Sequence, residues 1–106
     1  MLGHGSVGAG VCGHLLAHPG RFQLNPVLVR DAAHHAANSA AGLQFTEDLA
    51  EALDHQPDIL VETIGGTGMA RSLSQSALRD GMHLVTANKA VIALDFDRLH
   101  ELAADS

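Results

Sequence analysis

Short apolar runs alternate along the chain with stretches in which apolar residues return every three or four positions. Val7, Val11 and Leu15 recur every four residues and predict one face of a helix that stops near His18, because Pro19-Gly20 follows. Val27, Leu28 and Val29 then form a short buried strand, with Pro26 near its start, where a missing N–H does no harm. Residues 31–43 are rich in Ala, His and Asn without a clean period and read as a surface connection. Thr46 is placed to cap a short helix, with Glu47 and Asp48 in its first turn and Leu49 and Leu53 facing inward. Pro57 opens a strand through Ile59, Leu60 and Val61, which Glu62 and the loop Gly65-Gly66-Thr67-Gly68 end. Met69, Leu73 and Ala77 mark the next helix, which Gly81 closes. Leu84-Val85 centre another strand, and a last helix starts at Asp95 with Leu99 and Leu102 inward. Strands alternating with helices predict an α/β fold with a parallel sheet.

Composition narrows this picture. At 106 residues the chain is sized for one domain, and its three aromatic residues are all Phe, so Ala, Val, Leu and Ile must build the core. The formal net charge of -6 repels a phosphate backbone and argues against a nucleic-acid partner. No apolar run reaches the length of a membrane span, and no signal-peptide pattern opens the chain. The single Cys12 excludes an internal disulfide and reads as a small packing residue, so the cytoplasm is the expected compartment. The eight histidines do not fall at metal-ligand spacing: His14 and His18 lie four apart with no acid between them, and no metal is expected.

The chemistry begins with Gly3-His4-Gly5-Ser6-Val7-Gly8, which matches G-x-G-x-x-G and runs straight into the first helix. The first glycine permits a tight turn, the second lets a pyrophosphate approach the backbone, and the third lets helix and strand pack closely. Helix N–H groups and the helix dipole then favour the negative charge. At the end of the second strand Arg30 precedes Asp31. A guanidinium there suits the 2′-phosphate of NADP and an acid suits the 2′-hydroxyl of NAD, so NADP is favoured and NAD left open. The plainer reading of the pair is a solvated Arg-Asp turn.

Two further strand ends carry a resemblance. Val61-Glu62-Thr63-Ile64-Gly65-Gly66-Thr67 resembles the V-E-x-I-G-G segment of homoserine dehydrogenases, and Val85-Thr86-Ala87-Asn88-Lys89-Ala90 resembles their V-T-A-N-K-A. The glycine loop with Ala9-Gly10-Val11 is similar to the family's G-x-G-T-V-G-x-G-V, with Ser6 for the usual Thr, and Val29-Arg30-Asp31 fits its second strand end. The four segments occur in the family's order.

The resemblance implies a Rossmann-type, doubly wound parallel sheet over residues 1–106 that binds NAD(P) for hydride transfer between aspartate semialdehyde and homoserine. It implies cofactor contacts from Gly3, Gly5, Ser6, Val7 and Gly8 at the pyrophosphate and from Arg30 at the adenosine ribose. Ile64, Gly65, Gly66, Thr67 and Asn88 would lie towards the nicotinamide, and Lys89 near both nicotinamide and substrate. Lys89 is the catalytic candidate, because a fixed ammonium stabilises charge developing on an aldehyde oxygen; taken alone it reads equally as a solvated lysine opening a helix. Glu62 has the position of a base or of a group orienting backbone donors and stays unassigned. The resemblance further implies a first strand reduced to Met1 and Leu2 and a catalytic domain lying beyond Ser106. The chain then reads as truncated at both ends and inactive alone, part of a homo-oligomeric enzyme of threonine, methionine and isoleucine synthesis. The alternatives are another dehydrogenase with the same first domain, or a stand-alone module that senses NADP.

Overall fold

The computed structural model describes residues 1–38, 42–54, 56–65 and 68–105. Its contacts divide the chain into two compact units, Met1–Gln56 and Pro57–Ser106. At the junction Gln56 has a φ of 51°, in the left-handed region that non-glycine residues rarely enter.

The first unit contains α1 (Ser6–Leu16), β1 (Val27–Leu28), α2 (Ala32–Asn38), β2 (Phe45–Thr46) and α3 (Leu49–Ala52). β1 and β2 pair in parallel, with Val27 opposite Phe45 and Leu28 opposite Thr46. Leu2 bridges Leu28 in parallel on the other side of β1. Leu28 N–H donates to the Met1 carbonyl at 3.0 Å, and Gly3 N–H donates to the Leu28 carbonyl at 2.9 Å. Met1 and Leu2 are buried, so two residues supply the rung that leads into the glycine loop. Asn25 ties the entry to β1 down by donating its amide to the carbonyls of Ala52 and Asp54, which end α3.

Four expectations change in this unit. The inward face of α1 is formed by Gly8 and Cys12, four apart, while Val7 is 56% exposed. Close approach selects the small residues and turns the valine outward. Residues 32–38 form a helix rather than a surface connection, because the Asp31 carboxylate caps it by accepting from His34 N–H at 3.1 Å; residues 39–41 lie outside the described set. Thr46 belongs to β2, and Asp48 is the cap of α3, accepting from Ala50 N–H at 2.9 Å. Thr46 instead donates its hydroxyl to Glu51. With the cap moved two residues on, Ala52 faces inward and Leu49 is exposed.

The second unit contains β3 (Ile59–Glu62), α4 (Met69–Arg79), β4 (His83–Thr86) and α5 (Lys89–Asp105). β3 and β4 are parallel and in register from Ile59 opposite His83 to Glu62 opposite Thr86. Its core is Ala70, Leu78, Val91, Leu99 and Leu102, with Leu84 packed against them. α4 turns Ala70, Ser74, Ala77 and Leu78 inward and leaves Met69 exposed, a shift of one position from the face read in the sequence. It ends as expected at Gly81, whose φ of 83° lets Gly81 N–H reach the Leu78 carbonyl and Met82 N–H the Ala77 carbonyl.

α5 consists of two helical stretches that meet at Asp95, so the helix expected to start there is the second of them, and a further stretch from Lys89 precedes it. Asp95 marks a kink, with φ −119° and ψ 19°. Its side chain, 3% exposed, accepts from Arg71 Nε at 2.6 Å and Gln75 Nε2 at 3.0 Å, which ties α5 to α4 at the bend. The Arg71 hydrogen bond, and secondarily that of Gln75, holds the Asp95 carboxyl below its ordinary value against the opposing effect of burial.

Candidate functional site

Site residues of the first unit gather at the carboxyl ends of its parallel strands. Gly3 has a φ of 89°, which only glycine adopts without strain, and makes the turn out of the Leu2 rung. Gly5 is the N-cap of α1 in an extended conformation, with no side chain capping it, and its carbonyl takes Ala9 N–H at 2.8 Å. A Cβ built on Gly5 would meet nothing within 4 Å among the described residues, which leave this backbone edge open. Ser6 and Val7 are exposed while Gly8 is buried, and no acid sits in the first turn. These features fit a bound pyrophosphate: the first N–H groups of an 11-residue helix face an open, carboxylate-free edge.

Beyond β1, Val29 N–H still donates to the Thr46 carbonyl at 2.9 Å, and the chain then leaves the sheet at exposed Arg30. Among the described residues Arg30 makes no ion pair. Asp31 is committed to capping α2, and Glu47 Oε2 accepts from Ala32 N–H at 3.0 Å on the same first turn. Both nearby acids are thereby engaged with backbone.

His4, the variable position inside the glycine motif, lies in a ring cluster that sequence reasoning missed. Its imidazole meets His35 edge-on at 5.4 Å and Phe45 at 4.9 Å, and His35 stacks on Phe45 at 5.5 Å. No periodicity links positions 4, 35 and 45, so nothing in the sequence signalled it. Burial, then the charge of His35, pushes the His4 imidazole below its usual 6.5. Folding therefore favours neutral His4. The stability this contributes is present above pH 6.5 and is lost as pH falls through the lowered folded value. His4→Gln is accordingly expected to shrink the fall in melting temperature between about pH 7.5 and pH 5.5. An unchanged fall, followed by circular dichroism, would count against this coupling.

In the second unit the strand ends are joined by hydrogen bonds through Glu62. Its Oε1 accepts from Ile64 N–H at 2.7 Å and Gly65 N–H at 3.4 Å, and its Oε2 accepts from the Thr86 hydroxyl at 2.8 Å. Thr86 Oγ1 accepts from Asn88 N–H at 3.0 Å, and Asn88 Oδ1 accepts from Val91 N–H at 3.2 Å, opening α5. Asn88 is buried, and Lys89 stands exposed on the first turn of that helix. The chain of bonds thus connects Ile64, Gly65 and Asn88, three of the expected site residues, and Lys89 follows Asn88 directly in sequence. Gly66 and Thr67 lie outside the described residues.

A glycine-turned helix N-terminus beside parallel strand ends, with a free guanidinium at the next one, defines a dinucleotide-binding domain of Rossmann type. Residues 3–106 match the family model described as the NAD binding domain of homoserine dehydrogenase. The chain belongs to that family, whose members take a nicotinamide cofactor. It is 37% identical to a homoserine dehydrogenase of Synechocystis sp., with 97% of this chain and 25% of that protein covered. It is 34% identical to one of Corynebacterium glutamicum, again covering 97% and 25%. The crystal structure of a homoserine dehydrogenase from Thiobacillus denitrificans superposes with a TM-score of 0.84 at 31% identity, over 98% of this chain and 26% of the other. An S. aureus homoserine dehydrogenase structure also gives 0.84, at 30% identity, covering 98% and 28%. The chain therefore spans about a quarter of the length of the relatives it matches. No described helix is long and apolar enough to cross a membrane.

Proposed function

We propose that the chain is the cofactor-binding part of an NADP-dependent homoserine dehydrogenase of the cytoplasm, acting on aspartate semialdehyde and homoserine. The observation that carries the cofactor reading is the open edge at Gly5 on an uncapped, acid-free helix N-terminus. NADP is preferred over NAD because Arg30 is exposed without an ion-pair partner among the described residues, while Asp31 caps α2. A carboxylate engaged in that way is a poorer partner for a ribose 2′-hydroxyl, and a free guanidinium suits a 2′-phosphate.

The cofactor, when bound, supplies or accepts the hydride. Gly3, Gly5, Ser6, Val7 and Gly8 hold its pyrophosphate, and Arg30 the phosphorylated ribose. Ile64, Gly65, Gly66, Thr67 and Asn88 shape the nicotinamide end. Lys89 places an ammonium where the aldehyde oxygen gains charge. Because Lys89 is exposed, water screens that charge and moderates its effect.

The test is NADPH-dependent reduction of aspartate semialdehyde by the enzyme carrying this chain. Lys89→Ala is expected to lower turnover by about tenfold, with NADPH affinity changed less than about threefold. Turnover near that of the unsubstituted enzyme would leave Lys89 a solvated lysine, and absence of NADPH binding would overturn the cofactor reading.

A further inference from the structure

Glu62 is completely buried, and a carboxylate out of water is costly unless its oxygens are satisfied. Here every partner of the side chain lies at the carboxyl end of a parallel strand, the end at which open α/β sheets receive their ligands. Glu62 and Thr86 face each other across the last rung of the β3–β4 ladder, and Ala87 N–H donates to the Glu62 carbonyl at 3.2 Å just beyond it. One carboxylate oxygen faces the loop that leaves β3, and the other faces the turn that leaves β4. Thr86 already accepts Asn88 N–H, so its own proton is the one given to Glu62. Gly65 has a φ of 83°, and its N–H and that of Ile64 both turn back to the same carboxylate.

We propose that Glu62 is a positioning residue that sets the Ile64-Gly65 loop and the Asn88-Lys89 turn in one relation, so that they receive the nicotinamide end of the cofactor. This rests on the cofactor reading above and adds to it the group that organises that end. The requirement is for an acceptor on both sides. Glutamine has the shape of Glu62 but must donate to the remaining lone pair of Thr86 Oγ1 to keep both sides, which takes the acceptor from the threonine proton and removes the charge that strengthens the loop bonds.

The experiment compares NADPH with its nicotinamide-free fragment, 2′-phospho-ADP-ribose, by calorimetric titration of the enzyme carrying this chain, unsubstituted and as Glu62→Gln, Thr86→Val and Thr86→Ser. Glu62→Gln and Thr86→Val are expected to weaken NADPH about tenfold while changing the fragment less than about twofold. Thr86→Ser keeps the hydroxyl and is expected to bind both as the unsubstituted enzyme does. Should Glu62→Gln fail to fold, the Thr86 pair carries the same comparison. Equal weakening of NADPH and fragment, or no weakening of either, overturns the assignment while leaving the cofactor reading in place. Failure of the unsubstituted enzyme to bind either compound overturns the cofactor reading, and the assignment with it.

Discussion

Gly5→Val is expected to remove most cofactor affinity while leaving the fold intact. The φ of −79° and ψ of −159° at Gly5 are open to any L-residue, and a β-branched side chain suits extended backbone. None of the described residues lies within 4 Å of the new Cβ. Valine is a poorer N-cap than glycine by about 0.5–1 kcal/mol, and the lower entropy of the unfolded chain returns about 0.4–1 kcal/mol, so the two nearly cancel. Binding has no such offset. The isopropyl group occupies the edge that a pyrophosphate must approach, and a forced displacement there costs about 2 kcal/mol, roughly thirtyfold in affinity. NADPH titration beside a thermal melt separates the two effects. Undiminished NADPH affinity would mean that the phosphates bind elsewhere.

Arg30→Ala is expected to weaken NADPH by about 1–3 kcal/mol, roughly fivefold to 150-fold, and NADH by less than about threefold. The difference arises because only NADPH carries the phosphate that a guanidinium grips with paired donors. Arg30→Lys keeps the charge but loses the fork, and should fall between the two. Asp31 caps α2 and Glu47 accepts from the same turn, so Arg30 is the cation that offsets their charge where a phosphate would sit. Equal loss of both cofactors, read from parallel titrations, would take Arg30 out of the ribose site.

Local order made several features legible before any coordinates. Gly3 and Gly81 stand where the backbone requires positive φ, and the strands around Val27, Leu60 and Leu84 are short apolar runs bounded by breakers. Each of the four motif segments is a short continuous stretch at a strand end, so the family was legible too. Faces were less so. Val7 and Met69 matched a helical period but point outward, because inward positions on α1 and α4 go to residues small enough for close packing: Gly8, Cys12, Ala70 and Ser74. α2 was overlooked because its Ala and His residues make no apolar stripe.

What the sequence alone determined is therefore whatever depends on neighbouring residues: the alternation of strands and helices, the glycine turns, the motif order and the family. Tertiary structure decided which groups are already engaged. Asp31 accepts from His34 N–H at the start of α2, and Asp95, at the bend between two helical stretches, holds Arg71 and Gln75. Glu62, open to two roles in the sequence, accepts from Ile64 and Gly65 on one side and Thr86 on the other. His4 meets rings from positions 35 and 45. For Asp95, His4 and the Thr86 bond of Glu62 the reason is common: a polar side chain's role is set by the donors, acceptors and rings that folding brings within a few ångströms, and these come from distant parts of the chain.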